Sequence, residues 1–188
     1  PPHGWSSICL GFALPAHLMR LLNVYRENIS DGPGLRYSIY LAGCSHACPG
    51  CHNPESWSPE GGILLSERVL EDIIAEIRAN PLLDGITVSG GDPFYDPEAL
   101  TGLLARLKAE TGMNIWCYTG FTIEYLLRSE VHRPALEYID VLVDGPFVES
   151  LLDPRLSFRG SSNQRLIEID HTRPLSLEAI RFLEAPSI

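Results

Sequence analysis

The sequence predicts an α/β fold, namely an open part of a β/α barrel with mostly parallel strands and outer helices. Segments rich in β-branched and aromatic residues alternate with helical segments, and such alternation indicates parallel strands joined by helical crossovers. Glycine and aspartate residues follow these strand segments, at the end of the sheet where ligands bind. A complete barrel takes about 250 residues, so the 188 residues of this chain can form only part of one.

Five strands are expected from their composition and from the turn residues that follow them. The first begins at Arg36 and runs directly into a loop that contains three cysteines. The other strand segments end in Gly-Gly-Asp, Thr-Gly, Asp-Gly and a single aspartate, and we expect the first four strand ends to share one site. The five segments are 36–43, 85–93, 113–120, 138–146 and 164–170.

Four helices are expected between and after these strands. Ser66 and Asp96 are N-cap residues for the first two, and Gly112 ends the second. A third helix begins at about Thr122, and a closing helix over 176–184 is capped by Ser176. Apolar residues recur at helical spacing in the first two helices, namely Val69, Leu70, Ile73, Ile74 and Ile77, then Leu100, Leu103, Leu104 and Leu107.

The charge and cysteine content exclude several classes of protein. A formal charge of −10, with Lys108 as the only lysine, argues against a nucleic-acid-binding protein. Five cysteines, three of them clustered, do not suit a secreted disulfide framework and indicate a reducing compartment, the cytoplasm. No apolar run approaches the roughly 18 residues of a membrane span.

Residues 1–18 differ in composition from the rest of the chain. They contain Cys9 but no basic residue ahead of their apolar part, unlike a secretory signal. Met19 suits a natural start, so 1–18 are interpreted as an N-terminal extension or leader. One domain is expected over 19–188, with no internal repeat.

Cys44, Cys48 and Cys51 have the spacing C-x3-C-x2-C. Thiolates select zinc or iron–sulfur clusters. A structural zinc site is normally closed by four ligands, whereas three ligands suit a 4Fe–4S cluster with one iron left free. Zinc remains the alternative, because His46, His52 or Cys117 would complete the site as a fourth ligand.

This cysteine motif after a first strand resembles the radical S-adenosylmethionine superfamily. The resemblance implies a partial barrel of that type, and S-adenosylmethionine bound at the free iron through its amino and carboxylate groups. It also implies that Gly90, Gly91 and Asp92 contact the methionine amino group, because the superfamily has a Gly-Gly-acid-Pro turn there. The other interpretation is a strand-to-helix turn with Asp92 as a local cap.

Two stretches resemble glycyl-radical activating enzymes, DGPGLR over 31–36 and CHNPESW over 51–57. In the wider superfamily an aromatic residue usually precedes the last cysteine, and here Gly50 stands there. The resemblance therefore assigns the adenine contact to the backbone of Gly50 and to His52, although His52 can instead bond within its loop.

The segment 143–165 is similar to the activating proteins of anaerobic ribonucleoside-triphosphate reductases. This resemblance covers 19–169 and implies a glycyl radical made on the large reductase subunit, with the cluster reduced by a one-electron donor such as flavodoxin or ferredoxin. Arg159, Asn163 and Arg165 are interpreted either as a polar turn or as contacts to cofactor or partner.

Other interpretations stay open at this point. The substrate is alternatively another glycyl-radical enzyme or a small modified nucleoside, and a zinc-stapled binding module is the non-enzymatic alternative. Asp144 either reaches a ribose hydroxyl or caps a turn. Cys117, Trp116 and Tyr118 are expected in the core.

Overall fold

A computed structural model describes residues 19–184, which form one eight-stranded sheet and three α-helices. The predicted extension 1–18, with Cys9, lies outside the described residues. The strands are β1 (Arg20–Asn28), β2 (Arg36–Leu41), β3 (Ile63–Leu64), β4 (Gly85–Gly90), β5 (Asn114–Tyr118), β6 (Val141–Asp144), β7 (Arg165–Ile169) and β8 (Ile180–Leu183).

The strand order is β3-β1-β2-β4-β5-β6-β7-β8. The central strands β2, β4, β5 and β6 are parallel, as the alternation of strands and helices predicts. Both outer parts of the sheet are antiparallel, so the sheet is mixed. The prediction of mostly parallel strands was therefore wrong outside the centre, because loops rather than helical crossovers connect the outer strands, and each runs antiparallel to its neighbour.

The predicted closing helix over 176–184 is also wrong. Ser176 does accept a hydrogen bond from the Glu178 amide at 3.3 Å, but only the short 3₁₀ turn Leu177–Ala179 follows. The chain then continues as β8, which pairs with β7. Strand pairing outweighs helix propensity here, because the open edge of β7 offers a row of backbone partners.

The three helices follow the sequence prediction closely. Ser66 accepts from the Val69 amide at 3.4 Å and Asp96 from the Ala99 amide at 3.1 Å, so both predicted caps are confirmed. Gly112 ends the second helix with a left-handed φ of 65°. The bounds are α1 (Glu67–Ala79), α2 (Pro97–Thr111) and α3 (Ile123–Arg128).

The helices cover one face of the sheet and leave the other to loops. Leu100 and Leu107 of α2 belong to the same core as Ile39, Val88 and Ile115 on the strands. The residues one position along each strand point to the opposite face. There a smaller cluster, Trp116, Val141, Val143 and Leu166, packs against Phe158 of a long loop. The carboxyl ends of the parallel strands lie together at one edge of the sheet.

Arg36, the last residue of the DGPGLR stretch, has a structural role, because its side chain is buried against neighbouring strands. Its side chain is only 1% exposed, and burial lowers the pKa of its guanidinium to about 10. The guanidinium donates to Thr87 Oγ1 at 2.7 Å and to the Ile86 carbonyl at 2.6 Å. It also lies 5.4 Å from the ring centroid of Trp116. This arginine therefore joins β2 to β4 and β5 rather than contacting a ligand.

Arg36→Lys is expected to lower the free energy of unfolding by about 3 kcal/mol, because a lysine ammonium cannot span the same acceptors and stays buried without them. Urea unfolding measures the change. Arg26→Lys is the matched control, since Arg26 pairs with Glu76 on the surface and is 64% exposed; a change under about 0.5 kcal/mol is expected there. Equal effects at both positions would contradict the assignment.

Within residues 19–184, no helix has the length and apolar character that crossing a membrane requires.

Candidate cofactor site

The three clustered cysteines lie on one loop after β2, as predicted. Cys44, Cys48 and Cys51 are all free thiols and partly exposed. The Cys51 amide donates to the Cys48 carbonyl at 3.1 Å, which makes a tight turn. Ala47 takes a left-handed φ of 46°, a conformation that costs an alanine about 1 kcal/mol. The loop is thus held in a shape that its own sequence does not favour.

The donor set of this loop fits an iron–sulfur cluster. Thiolates are the ligands of such clusters, and the Asn53 amide donates to Cys51 Sγ at 3.4 Å, as hydrogen bonds to cluster sulfurs do. Burial raises the pKa of the Cys44 thiol, so binding must displace its proton. Among residues 19–184, no three His, Cys, Asp or Glu side chains are close enough to hold a single metal ion.

The three residues considered as a fourth zinc ligand have other contacts. Cys117 is fully buried in β5, and burial raises the pKa of its thiol well above the ordinary value. The His52 ring packs against Phe147, with ring centroids 5.2 Å apart. His46 Nε2 lies 2.6 Å from Asp92 Oδ2. Cys117 is therefore a core residue, as expected, and both histidines hold neighbouring loops.

The glycine turn after β4 lies directly against the cysteine loop. A Cβ on Gly91 would come within 2.3 Å of the Gly43 carbonyl oxygen, and one on Gly90 within 2.3 Å of the Leu41 carbonyl oxygen. The Gly90 carbonyl accepts from Asn53 Nδ2 at 3.4 Å and from Ser56 Oγ at 3.3 Å. These glycines are required because two backbones touch, which is the close approach that the sequence indicated.

Asp92 is the centre of a hydrogen-bond network rather than a free carboxylate. It is 2% exposed and accepts from the amides of Phe94 and Gly120, both at 2.9 Å. Thr119 Oγ1 lies 3.0 Å from both carboxylate oxygens. Because a carboxylate only accepts, the proton at the 2.6 Å contact belongs to His46 Nε2. Asp92 thereby joins the cysteine loop to the ends of β4 and β5.

Gly91→Ala is expected to destabilise the protein by about 2 kcal/mol, because the added methyl group meets backbone rather than a movable side chain. Iron uptake on anaerobic reconstitution should fall with it, since the turn and the cysteine loop are forced apart. Gly112→Ala is the control: nothing lies within 4 Å of its Cβ position, so only the left-handed backbone cost of about 1 kcal/mol is expected. Normal iron uptake by Gly91→Ala would contradict the prediction.

The long loop after β6 reaches the cysteine loop from the other side. Phe147 packs on His52, and the Glu149 carboxyl group lies 2.9 Å from the position of a Cβ on Gly50. Gly50 has a left-handed φ of 72°. The predicted residues Gly50 and His52 are thus adjacent to the cysteines and face the loop of Phe147 and Glu149, which belongs to the segment 143–165 that carries the family resemblance.

The fourth strand end contributes differently from the first three. Asp144 is fully buried, accepts from the Ile123 amide at 2.8 Å and forms a salt bridge with Arg165. Arg165 also holds both oxygens of Glu124 at 2.9 Å, and this contact lowers the pKa of Glu124 to about 2. Asp144 therefore caps α3, one of its two expected roles, and Arg165 already has two carboxylate partners.

Arg159 and Asn163 shape the loop that covers the helix-free face. Arg159 Nη1 donates to the Gln164 carbonyl at 3.2 Å, and Asn163 Nδ2 donates to the Pro146 carbonyl at 2.7 Å. Both contacts lie within the loop and its return to β7, which agrees with the polar-turn interpretation.

The sequence did not predict the observed contacts of two contributors to this site. His46 was considered only as a zinc ligand, and Thr119 only as part of a strand end. Their shared partner is Asp92, which lies 46 residues from His46 and 27 from Thr119 along the chain. Spacing in the sequence gives no signal for contacts of this range.

The chain matches known proteins over most of its length. A family model described as a 4Fe-4S single cluster domain matches residues 30–167. A protein of Haemophilus influenzae is 37% identical over 150 residues, which cover 78% of this chain and 96% of that protein. One of Escherichia coli K12 is 38% identical over 145 residues, covering 74% and 92%. One of phage T4 is 32% identical over 146 residues, covering 76% and 90%. All three are named anaerobic ribonucleoside-triphosphate reductase-activating protein.

Proposed function

Because this chain belongs to the family of anaerobic ribonucleoside-triphosphate reductase-activating proteins, we propose that it activates such a reductase by generating a glycyl radical on its large subunit. The observation that carries the proposal is the loop of three free thiols, Cys44, Cys48 and Cys51, packed against the glycine turn after β4. The chain is thus an enzyme whose substrate is another protein.

The cofactors we propose are one 4Fe–4S cluster and S-adenosylmethionine. Held by Cys44, Cys48 and Cys51, such a cluster would supply one electron for the cleavage of S-adenosylmethionine to methionine, and the 5′-deoxyadenosyl radical released with it would take the hydrogen atom from the glycine Cα. An external one-electron donor must reduce the cluster. The protein positions these groups and excludes water.

The chain's own residues have distinct parts in this proposal. Cys44, Cys48 and Cys51 hold the cluster. The backbone of Gly90 and Gly91 would approach the methionine amino group, and Asp92 would contribute negative charge there while holding its loop in place. The backbone of Gly50 and the side chain of His52 would contact the adenine. Because Asp92 has four donors already, we assign it electrostatic attraction and positioning rather than a vacant acceptor site.

The finer architectural assignments belong to the same proposal. The central parallel strands and helices on one face support an open barrel of the radical S-adenosylmethionine type, with residues 19–188 as one domain. Four free cysteines among residues 19–184 support a reducing compartment, and we place the protein in the cytoplasm.

Anaerobic reconstitution tests the proposal. About four irons per chain are expected, the content of one such cluster, and reduction with dithionite in the presence of S-adenosylmethionine should release methionine and 5′-deoxyadenosine. A glycyl radical signal should then appear in electron paramagnetic resonance spectra of added reductase. One zinc per chain that persists under iron-rich, reducing conditions would refute the radical chemistry.

A further inference from the structure

A group of packed rings connects the cysteine loop with the outer surface of α3. The His46 ring lies edge-on to Phe121 with centroids 4.5 Å apart, and Phe121 stacks on Tyr125 at 4.9 Å. His132 lies 5.2 Å from Phe121 and 5.4 Å from Tyr125. Since His46 stands between Cys44 and Cys48, this group begins at the cluster ligands and ends at solvent.

The outer end of this group is exposed. Tyr125 is 47% and Val131, next to His132 in the chain, 62% exposed, whereas Phe121 and His132 are half-buried. We call Phe121, Tyr125, Val131 and His132 the aromatic surface. Aromatic residues that are open to solvent and backed by packed rings are typical of protein–protein contacts.

Two arginines flank the aromatic surface. Arg128 and Arg133 are exposed, and their side chains donate to the backbone carbonyls of Glu124 and Leu175. Neither forms a salt bridge within residues 19–184, whereas Arg26, Arg106 and Arg181 all do. Glu130 is the exposed acidic residue between the two arginines. In a chain with a net charge of −10, two arginines that have no acidic partner among the described residues and line one surface depression mark a place that an acidic protein can approach.

We propose that the aromatic surface is the docking site of an acidic, flavin-carrying protein that reduces the cluster. The reduced flavin loses one electron and the oxidised cluster gains it, so no atom is transferred. The flat flavin ring suits Tyr125, whose ring stacks on Phe121 and which is 47% exposed, and Arg128 and Arg133 attract the acidic rim. This inference rests on the proposed function, because it presupposes a cluster on the cysteine loop.

The packing behind the aromatic surface favours an electron donor over the reductase as its occupant. The rings of His46 and Phe121 fill the space between the surface and the cysteine loop, and the Cβ position of Gly120 would lie 2.5 Å from the His46 ring. Packed rings carry an electron from the aromatic surface to the cysteine loop, but they leave no opening for the backbone of a glycine segment.

The test measures cluster reduction directly. Reconstituted protein is mixed in a stopped-flow instrument with a fully reduced bacterial flavodoxin, and the loss of cluster absorbance is followed. The double substitution Arg128→Glu and Arg133→Glu should slow reduction about tenfold at low salt, and Tyr125→Ser should slow it as well. Salt should slow the wild-type reaction more than that of the double variant. Reduction by dithionite, which needs no docking, should be unchanged.

Arg68→Glu and Tyr25→Ser are the matched controls. Arg68 is exposed on α1 without a salt bridge in the described chain, and Tyr25 is 47% exposed, the same fraction as Tyr125. Both should be reduced by flavodoxin at the wild-type rate. Equal rates for all variants would overturn the proposal.

Activation of the reductase, measured with the same variants, separates the remaining outcomes. Variants that are reduced normally by dithionite but then fail to activate the reductase would assign the aromatic surface to the reductase and overturn the proposal. A wild-type protein that takes up an electron but forms no 5′-deoxyadenosine would refute the proposed function, while the flavodoxin rates would still report on docking.

Discussion

Cys48→Ala is expected to abolish cluster assembly and S-adenosylmethionine cleavage together. Cys48 is the middle one of three thiols on a single loop, and no free cysteine within residues 19–184 lies where it could replace it, because Cys117 is buried in β5. Changes to residues that only support metal ligands cost about 10- to 100-fold. Loss of a ligand itself should therefore lower cleavage by more than about a hundredfold. Iron content, the cluster absorbance and 5′-deoxyadenosine release measure the effect.

Cys117→Ala is the matched control for this experiment. Its thiol is buried among the apolar side chains of the core, so the substitution removes only a small buried group and is expected to cost about 1 kcal/mol of stability. Iron uptake and cofactor cleavage should be retained. If Cys117→Ala lost the cluster and Cys48→Ala kept it, the assignment of the ligands would be wrong.

The sequence predicted the centre of the fold well because local and tertiary preferences agree there. In α2, Asp96 caps, Gly112 ends the helix, and the leucines between them are spaced for one buried face. The segments that became β2, β4, β5 and β6 are short apolar runs followed by glycine or aspartate. Each of these signals is contained in a few neighbouring residues.

Strands β1 and β8 were missed because their own residues do not mark them as strands. Most residues of β1 are partly or fully exposed, so it lacks the apolar run of a central strand, and its pairing with β2 follows from the turn around Gly32 and Gly34. Strand β8 carries a sequence with helical spacing, yet it pairs with β7. In both cases the neighbouring strand supplies the deciding interaction.

The site was predicted as a set of strand ends, and its internal connections were not. That cysteines, Gly-Gly-Asp and Thr-Gly come together follows from parallel strands, whose carboxyl ends share one edge of the sheet. That Asp144 instead bonds with Arg165 and the α3 terminus depends on β7 returning antiparallel beside β6. The sequence does not contain this pairing in any local form.

Asp92→Asn is expected to lower the free energy of unfolding by about 3 kcal/mol and to abolish cofactor cleavage. Oδ1 accepts from the Phe94 amide and Oδ2 from the Gly120 amide. An asparagine amide must turn its NH₂ group toward one of these two donors, which leaves a buried N–H without an acceptor, and each such group costs about 1–3 kcal/mol. The bond that ties His46 to the end of β4 is weakened as well.

Asp96→Asn provides the same chemical change four residues away. Asp96 accepts one amide, that of Ala99, as the N-cap of α2, and asparagine caps helices about as well as aspartate. The free energy of unfolding, measured in urea, should therefore change by less than about 0.5 kcal/mol, with cofactor cleavage retained.

The iron content of Asp92→Asn separates two roles of Asp92. Full iron with no cleavage indicates lost attraction of the methionine amino group, and low iron indicates a displaced cysteine loop. Stability and cleavage that match Asp96→Asn would show that the buried network does not hold this site together.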